Sequence, residues 1–511
     1  MSAKRSRRRG RRRGPRELPN VAPGGSSTRA FRPLSEGDVE RVHSASLEVL
    51  QRTGIEVLES EAREIFQAAG AEIDAGANRV FISRTMVEDA VASACRQFVL
   101  AGRDPKHDMQ IGDDRVYMGT GGAAVKVLDL DGNVRESRLE DIAQIGRLVD
   151  ALDNIHFYLR PVVARDVPKE ILDVNKTYAA VSNTSKHVMT SAYSVKSARE
   201  VIELVSMITG DKAAYAARPI VSFTSCWTVS PLRYAPETVE VLIELVRQNI
   251  PVATSSAPQS GATSPASLAG TLVQINAEEL SGLVLCNLIR PGARVLMGYV
   301  PSVADLRTGN FVGGAAEFAL MNAAAAQMAH YYGVPIYNSC SISDSKLPDA
   351  QAGYEKGITA TAAALAGSNY IHHSAGFLES MLTVAYEQYV IDDDINGSVM
   401  RMVRGIDVDE DSLSVDLIDR VCKGEGHYLG TEQSMDLMET GFYYPHTADR
   451  SSRRDWERSG GFEMRERARQ RAREILRAHQ PDGLDPDADH AIRERFDILL
   501  PREETRLKGG S

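Results

Sequence analysis

Pro335-Ile-Tyr-Asn-Ser-Cys-Ser-Ile-Ser-Asp-Ser-Lys-Leu-Pro-Asp-Ala-Gln-Ala-Gly-Tyr-Glu-Lys356 joins a β-rich run to a polar turn and then to a helix start crowded with ionisable side chains. The helical pattern continues over residues 349–366, and a second β-rich run follows at 370–375. Parallel strands are connected by such helical crossovers. Asp344, Lys346, Asp349, Gln351 and Glu355 fall just past the first strand's carboxyl end, where an α/β protein gathers its chemistry.

The same unit recurs on both sides. Short apolar runs at 116–121, 157–163, 187–193, 220–226, 252–257, 295–299, 336–341 and 370–375 alternate with helical patterns such as 197–208, 236–248, 267–288, 315–332 and 381–404. Eight alternations predict an α/β fold, a (β/α)8 TIM barrel over residues 113–405. Upstream, apolar residues recur at helical spacing (Val39, Val42, Leu47, Leu50; Ala62, Ile65, Phe66) before a β-like piece at Val80, which predicts an N-terminal helical cap over 30–112. The turn Asp129-Leu-Asp-Gly-Asn133 predicts a hairpin beside a barrel strand. After Gly405 the pattern turns irregular and polar, then helical at 463–479, which predicts a C-terminal helical layer, 406–511, wrapping the barrel. The connections 255–264 and 302–314 carry extra polar and glycine residues that suit a funnel.

Composition bounds the rest. The chain has 511 residues, 43% apolar and 25% charged, the make-up of ordinary globular protein. Cys95, Cys226, Cys286, Cys340 and Cys422 form no C-x-x-C pair and no metal-ligand spacing, so neither a disulfide framework nor a metal site is expected, and a reduced, cytoplasmic protein is. Residues 4–16 hold nine of the 59 basic residues without a following apolar segment, which reads as a disordered basic tail within 1–29 rather than a signal peptide. Its functional alternative is transient binding of phosphate or an acidic partner. Without residues 1–17 the chain keeps 50 basic against 68 acidic residues, a net charge of −18, so the body repels nucleic acid. No apolar run reaches the roughly 18–20 residues of a membrane span.

Several side chains are candidates for chemistry. His372 and His373 follow the last strand run; adjacent strand residues face opposite ways, so at most one is expected in the lumen, as ligand or base or in a structural hydrogen bond. Arg160 is a charge inside an apolar strand, to be paired in a salt bridge or turned to an anion such as a substrate carboxylate. Aromatics at strand ends (Tyr117, Tyr158, Tyr193, Phe223, Trp227, Tyr299, Tyr337) either pack the barrel or cage a quaternary ammonium at about 0.5–2 kcal/mol per ring. Asp392-Asp-Asp-Ile-Asn-Gly397 begins like a calcium loop, but its twelfth position is Val403 where a carboxylate is needed. Gly119-Thr-Gly-Gly122 lacks the rest of a phosphate loop and reads as a tight turn.

Three further stretches carry a family likeness: Ser264-Pro-Ala-Ser-Leu-Ala-Gly-Thr-Leu-Val273 with Asn276-Ala-Glu-Glu-Leu-Ser-Gly282, the segment from Asp344 to Lys356, and Glu387-Gln-Tyr-Val-Ile-Asp-Asp-Asp394. On these the chain resembles, from about residue 31 to 480, the trimethylamine methyltransferase superfamily. The resemblance implies a TIM barrel, a homo-oligomer and cobalamin carried by a separate corrinoid protein that docks over the barrel mouth. The column that holds pyrrolysine in trimethylamine enzymes falls at Ile342, which places the chain in the non-pyrrolysine branch with the glycine betaine methyltransferases. An apolar side chain forms no covalent adduct with an amine, so trimethylamine is not the expected substrate.

The resemblance then implies demethylation of a quaternary amine, a betaine such as glycine betaine. Arg160 or Lys346 would bind its carboxylate. Tyr117, Trp227, Tyr299, Tyr337, His372 and His373 would surround the ammonium, and Asp344 and Glu379 would be the carboxylates at the reacting centre. Two other readings stand beside it: corrinoid-independent methyl transfer to tetrahydrofolate, and a betaine-binding protein without chemistry.

Overall fold

The structure, a computed structural model, describes residues 20–122 and 124–502. Most of the expected basic tail lies outside them. Eight parallel strands close into a barrel: β1 (Tyr117–Thr120), β2 (Phe157–Leu159), β3 (His187–Thr190), β4 (Val221–Ser225), β5 (Val252–Ser256), β6 (Val295–Tyr299), β7 (Ile336–Ser339) and β8 (Tyr370–Ala375), with β8 paired to β1 and β1 to β2. Each lies within one of the apolar runs that predict it. The return helices are α1 (Leu139–Asp150), α2 (Lys169–Val181), α3 (Val195–Thr209), α4 (Pro236–Arg247), α5 (Leu268–Ile289), α6 (Ala316–Tyr332), α7 (Ala350–Leu365) and α8 (Tyr386–Arg404). Local chemistry starts them: the Ser267 and Asp349 side chains accept the Gly270 and Ala352 N–H groups and cap α5 and α7. The helix expected from 381 begins at Tyr386, because Glu379, Ser380 and Met381 all take left-handed backbone angles.

The strand period of two sorts side chains between lumen and helices. On β7, Asn338 turns outward and donates to the Asn322 carbonyl on α6 (2.9 Å), while Tyr337 and Ser339 turn inward. A hairpin of Gln97–Leu100 and Met109–Gly112 closes the strands' amino ends: Phe98, Leu100, Met109 and Ile111 pack beneath Phe157, Leu159, Met189 and Tyr370. The barrel is thus filled from below, leaving its carboxyl-end mouth for a site.

Helices Glu36–Arg52, Ser60–Ala68 and Arg84–Ser93 pack on α5, and helix Met464–Ala478 packs on α8 and α1. The helix α5 is long and apolar enough to cross a membrane, but 78% of its apolar window is buried within the protein. It also carries two buried carboxylates that tie loops together. Glu278 accepts from Ser230 Oγ (2.9 Å) and the Leu232 N–H (3.0 Å); Glu279 accepts from Thr254 Oγ1 and the Gly298 N–H, both at 2.8 Å. The expected hairpin forms between Lys126–Leu128 and Val134–Glu136. The two long connections pair with each other through Gln259–Ser260 and Ser302–Ala304. All five cysteines are free.

Candidate active site

A column of rings rises through the lumen. Phe157 stacks on Tyr370 (centroids 3.6 Å), Tyr370 on Tyr337 (5.6 Å) and Tyr337 on His372 (3.9 Å); His373 follows at 4.1 Å and meets the edge of Phe377. Both histidines therefore belong to the lumen, where alternation allows one. The cause is local: His373 sits at φ 63°, the β8–β1 register slips between Ile371 and Ala375, and this bulge turns a second side chain inward. Glycines make the room. A Cβ on Gly121 would come 1.8 Å from the His373 ring, and one on Gly119 would come 2.4 Å from Phe157.

The histidine protons are assigned by their acceptors. A carbonyl only accepts, so His372 donates from Nδ1 to Asn338 O (2.6 Å), leaving its Nε2 lone pair without a protein partner among the described residues. His373 donates from Nε2 to Gly122 O (3.2 Å), and its Nδ1 receives the Ser339 hydroxyl (2.9 Å). Burial drives both imidazoles toward the neutral form, His372 well below the usual range and His373 to about 4. Both rings are uncharged at neutral pH, so they present aromatic surface without repelling a cation.

Arg160 leaves the carboxyl end of β2 beside this column. Its Nη2 donates to Ser191 Oγ (2.8 Å), while its buried Nε and Nη1 have no hydrogen-bond partner among the described residues. It forms no ion pair among them either, so the structural salt bridge considered for it is absent. The carboxylate close by, Asp173, is taken by Lys176, which also reaches Ser191 Oγ (3.2 Å). Two cations thus meet at Ser191 Oγ, and Asp173 is paired with one of them, Lys176. Burial, then the neighbouring guanidinium, lowers Lys176 to about 7. Tyr337 and Cys226 feel the same guanidinium, and Gly122 lies between it and His373. Cys226 is set deep among its neighbours yet accessible, as a cavity-lining thiol would be, and burial raises its pKa.

The ionisable cluster after β7 mostly builds the wall. Asp344 accepts the Gly313 and Gly314 N–H groups (3.0 and 3.3 Å) and the Ser380 hydroxyl (2.5 Å), joining three mouth loops. Glu355 accepts from Ser343 Oγ (2.7 Å) and the Asp344 N–H (2.9 Å). Glu379 accepts the Thr383 hydroxyl (2.7 Å). Lys346 is exposed and donates to its own loop's Asp344 carbonyl (2.7 Å), which leaves Arg160 as the cation beside the ring column. Ile342 is buried, with a Cβ on Gly313 only 2.1 Å from its Cγ2. Below it, Lys356 and Asp392 form a fully buried ion pair (3.0 Å). Lys356 also holds Ser341 O (2.7 Å) and Asp392 holds the Gly376 N–H (2.7 Å), so one pair fixes both the Ile342 loop and the histidine strand.

Most of the expected cage is elsewhere. Tyr117 lies at the closed end, its hydroxyl accepting the Gln110 N–H (3.1 Å). Trp227 turns outward onto Gly282 of α5 and Tyr234 (4.6 Å), and Tyr299 turns outward to Asn276 (2.8 Å). Tyr158 donates to Ile142 O of α1 and Phe223 packs in the outer core, while Tyr193 is exposed beside Lys176. Only Tyr337 of the seven lines the column, because strand-end position does not fix the face. Sequence reading missed Ser191, Ser339, Cys226 and the Lys176–Asp173 pair. The last left a signal: an Asp and a Lys three apart on a helix of otherwise uncharged residues from 171 to 181.

A family model described as trimethylamine methyltransferase (MTTB) matches residues 2–498. A glycine betaine methyltransferase of Desulfitobacterium hafniense is 33% identical over 90% of this chain and 95% of its own length. A trimethylamine methyltransferase of Methanosarcina thermophila is 37% identical over 88% and 94%. The monomethylamine methyltransferase of Methanosarcina barkeri, a solved structure, is 13% identical over 89% of this chain and 96% of its own, with a TM-score of 0.47.

Proposed function

Given that the chain belongs to the trimethylamine methyltransferase family, we propose that it removes a methyl group from a carboxylated quaternary amine, a betaine, and passes it to the Co(I) of a corrinoid carried by a separate protein. The observation that carries this reading is Arg160: a guanidinium beside a neutral ring column, with two buried nitrogens left for an anion. A zwitterion with a carboxylate and an ammonium a few bonds apart matches that juxtaposition.

The chemistry asks little acid–base work of the protein. A quaternary nitrogen carries a permanent positive charge, so when the methyl C–N bond breaks, the electron pair stays on nitrogen and a neutral tertiary amine leaves. The corrinoid supplies the nucleophile as a co-substrate. Arg160, steadied by Ser191, anchors the carboxylate. The His372 lone pair faces the ammonium, while Tyr337, stacked between Tyr370 and His372, holds that imidazole in place. Ile342, standing where trimethylamine enzymes carry pyrrolysine, excludes water in place of binding the amine covalently. Positioning and desolvation are the contributions left to this chain.

The test is single-turnover methylation of a reduced corrinoid protein, followed by cobalt absorbance, over a panel of betaines with choline and trimethylamine as contrasts. Methylation with a betaine and none with trimethylamine is expected. Silence across the panel, with the corrinoid protein shown competent by another methyltransferase, would refute the acceptor. Methyl transfer to tetrahydrofolate without any corrinoid protein would replace it.

A further inference from the structure

The neutral His372 imidazole has one hydrogen to give and has given it. Its Nδ1–H donates to Asn338 O (2.6 Å), and the Asn338 side chain is tied in turn to the Asn322 carbonyl of α6 (2.9 Å). A flipped ring would set a C–H against that carbonyl, and stacking on Tyr337 (3.9 Å) fixes the plane. Burial keeps the ring uncharged, so Nε2 is an acceptor only. A quaternary ammonium cannot pair with it, because all four bonds of its nitrogen go to carbon. The substrate therefore sets C–H surface against a buried acceptor. A site with a buried polar group discriminates strongly between ligands that satisfy the group and ligands that do not.

Demethylation supplies the missing hydrogen. As the methyl C–N bond breaks, the electron pair stays on nitrogen, and the neutral tertiary amine then takes a proton from solvent. The result is an N–H+ on a molecule that still carries its carboxylate. His372 does not give that proton, since its one N–H is held by Asn338 O. The three other groups on the nitrogen exchange places by rotation about its bond to the carboxylate-bearing chain, so an N–H formed where the methyl departed can turn to Nε2. We propose, resting on the betaine reading above, that the protonated product binds this site more tightly than the quaternary substrate, through an N–H+···Nε2 hydrogen bond to His372, and competes with it.

The nearby carboxylates already have donors. Asp344 accepts the Gly313 and Gly314 N–H groups and the Ser380 hydroxyl, Glu355 accepts from Ser343 and the Asp344 N–H, and Glu379 accepts from Thr383. Ser339 Oγ and Gly122 O are engaged by His373. Arg160 offers the same two nitrogens to the carboxylate of either ligand. The product gives up one methyl contact, and its N–H+ is more strongly hydrated before it binds. A charge-assisted hydrogen bond inside a buried site outweighs both, by about tenfold in affinity. Sustained turnover then requires a second reaction that consumes the tertiary amine.

Calorimetric titration of the full chain at neutral pH, where both tertiary amines are protonated, compares glycine betaine with N,N-dimethylglycine and choline with N,N-dimethylaminoethanol. Each pair exchanges one methyl for one N–H. Dimethylglycine is expected to bind about tenfold more tightly than glycine betaine, and the amino alcohol pair to shift in the same direction. His372→Phe keeps a ring for the stack and lacks the lone pair, so the preference should vanish. Histidine-selective 15N spectra of the wild type need no variant: the His372 Nε2 resonance should lie upfield in the dimethylglycine complex relative to the betaine complex. Dimethylglycine binding no tighter than betaine, a preference that survives in folded His372→Phe, or one Nε2 position in both complexes overturns the proposal. If neither carboxylated ligand binds while the choline pair does, the betaine reading fails, and the choline pair alone then upholds or overturns the N–H preference. No binding by any of the four overturns both.

Discussion

Replacing Arg160 by methionine separates a ligand-binding guanidinium from a structural one. In the free protein the Arg160 side chain has one hydrogen bond among the described residues, to Ser191, and two buried nitrogens with no partner there. Each unsatisfied buried donor costs about 1–3 kcal/mol. Methionine keeps the aliphatic stem and removes both, so the free protein's melting temperature is expected to hold or rise. A bound carboxylate would satisfy both nitrogens with charge-assisted bonds. After discounting for the partial exposure of the residue, about 2–3 kcal/mol is a reasonable net figure, or roughly 30–150-fold in Kd. Calorimetric titration with glycine betaine, and with choline as a cation lacking the carboxylate, measures it. The variant should lose betaine affinity by that factor and keep its affinity for choline. Equal loss for both ligands, unchanged affinity for every betaine that binds, or a melting temperature lowered by several degrees would refute the reasoning.

Three other outcomes follow from the same geometry. Lys176, lowered to about 7 by burial first and the nearby guanidinium second, is protonated below that pH and neutral above it. An anion binds the protonated form more tightly, so betaine affinity is expected to fall as pH rises through about 7. Lys176→Met should remove the step in a pH series of titrations. The buried Lys356–Asp392 pair holds two mouth loops, and Lys356→Met strands Asp392 without its counter-charge. It should cost roughly 3–5 kcal/mol in denaturant unfolding, much of it recovered in Lys356→Met/Asp392→Leu. Gly121→Ala places a methyl 1.8 Å from His373. Pushing that ring off the column should cut kcat/KM at least tenfold, read by turnover and by the shift of the histidine resonances.

The eight apolar runs and the helices between them were legible because parallel strands buried on both faces leave a continuous β-rich signature, and one-turn caps such as Asp349 mark where helices begin. The likeness of Asp344 to Lys356 and Glu387 to Asp394 was legible too. That these segments, some 30 residues apart, meet at one buried ion pair was not. Which strand-end aromatic faces the lumen depends on register, and one residue of slip reverses it; Tyr299 faces out and Tyr337 faces in. His373 joins His372 because of a bulge that a period of two cannot express. Arg160 was visible as a charge in an apolar strand, but that its nitrogens lack a counter-ion was decided by where α2 spends Asp173. Sequence by itself determined the barrel and the family, since both rest on local periodicity and contiguous motifs. Tertiary structure alone decided the site, because a site is a set of side chains brought together from β2, β7, β8 and α2, whose separation along the chain holds no record of the faces they share.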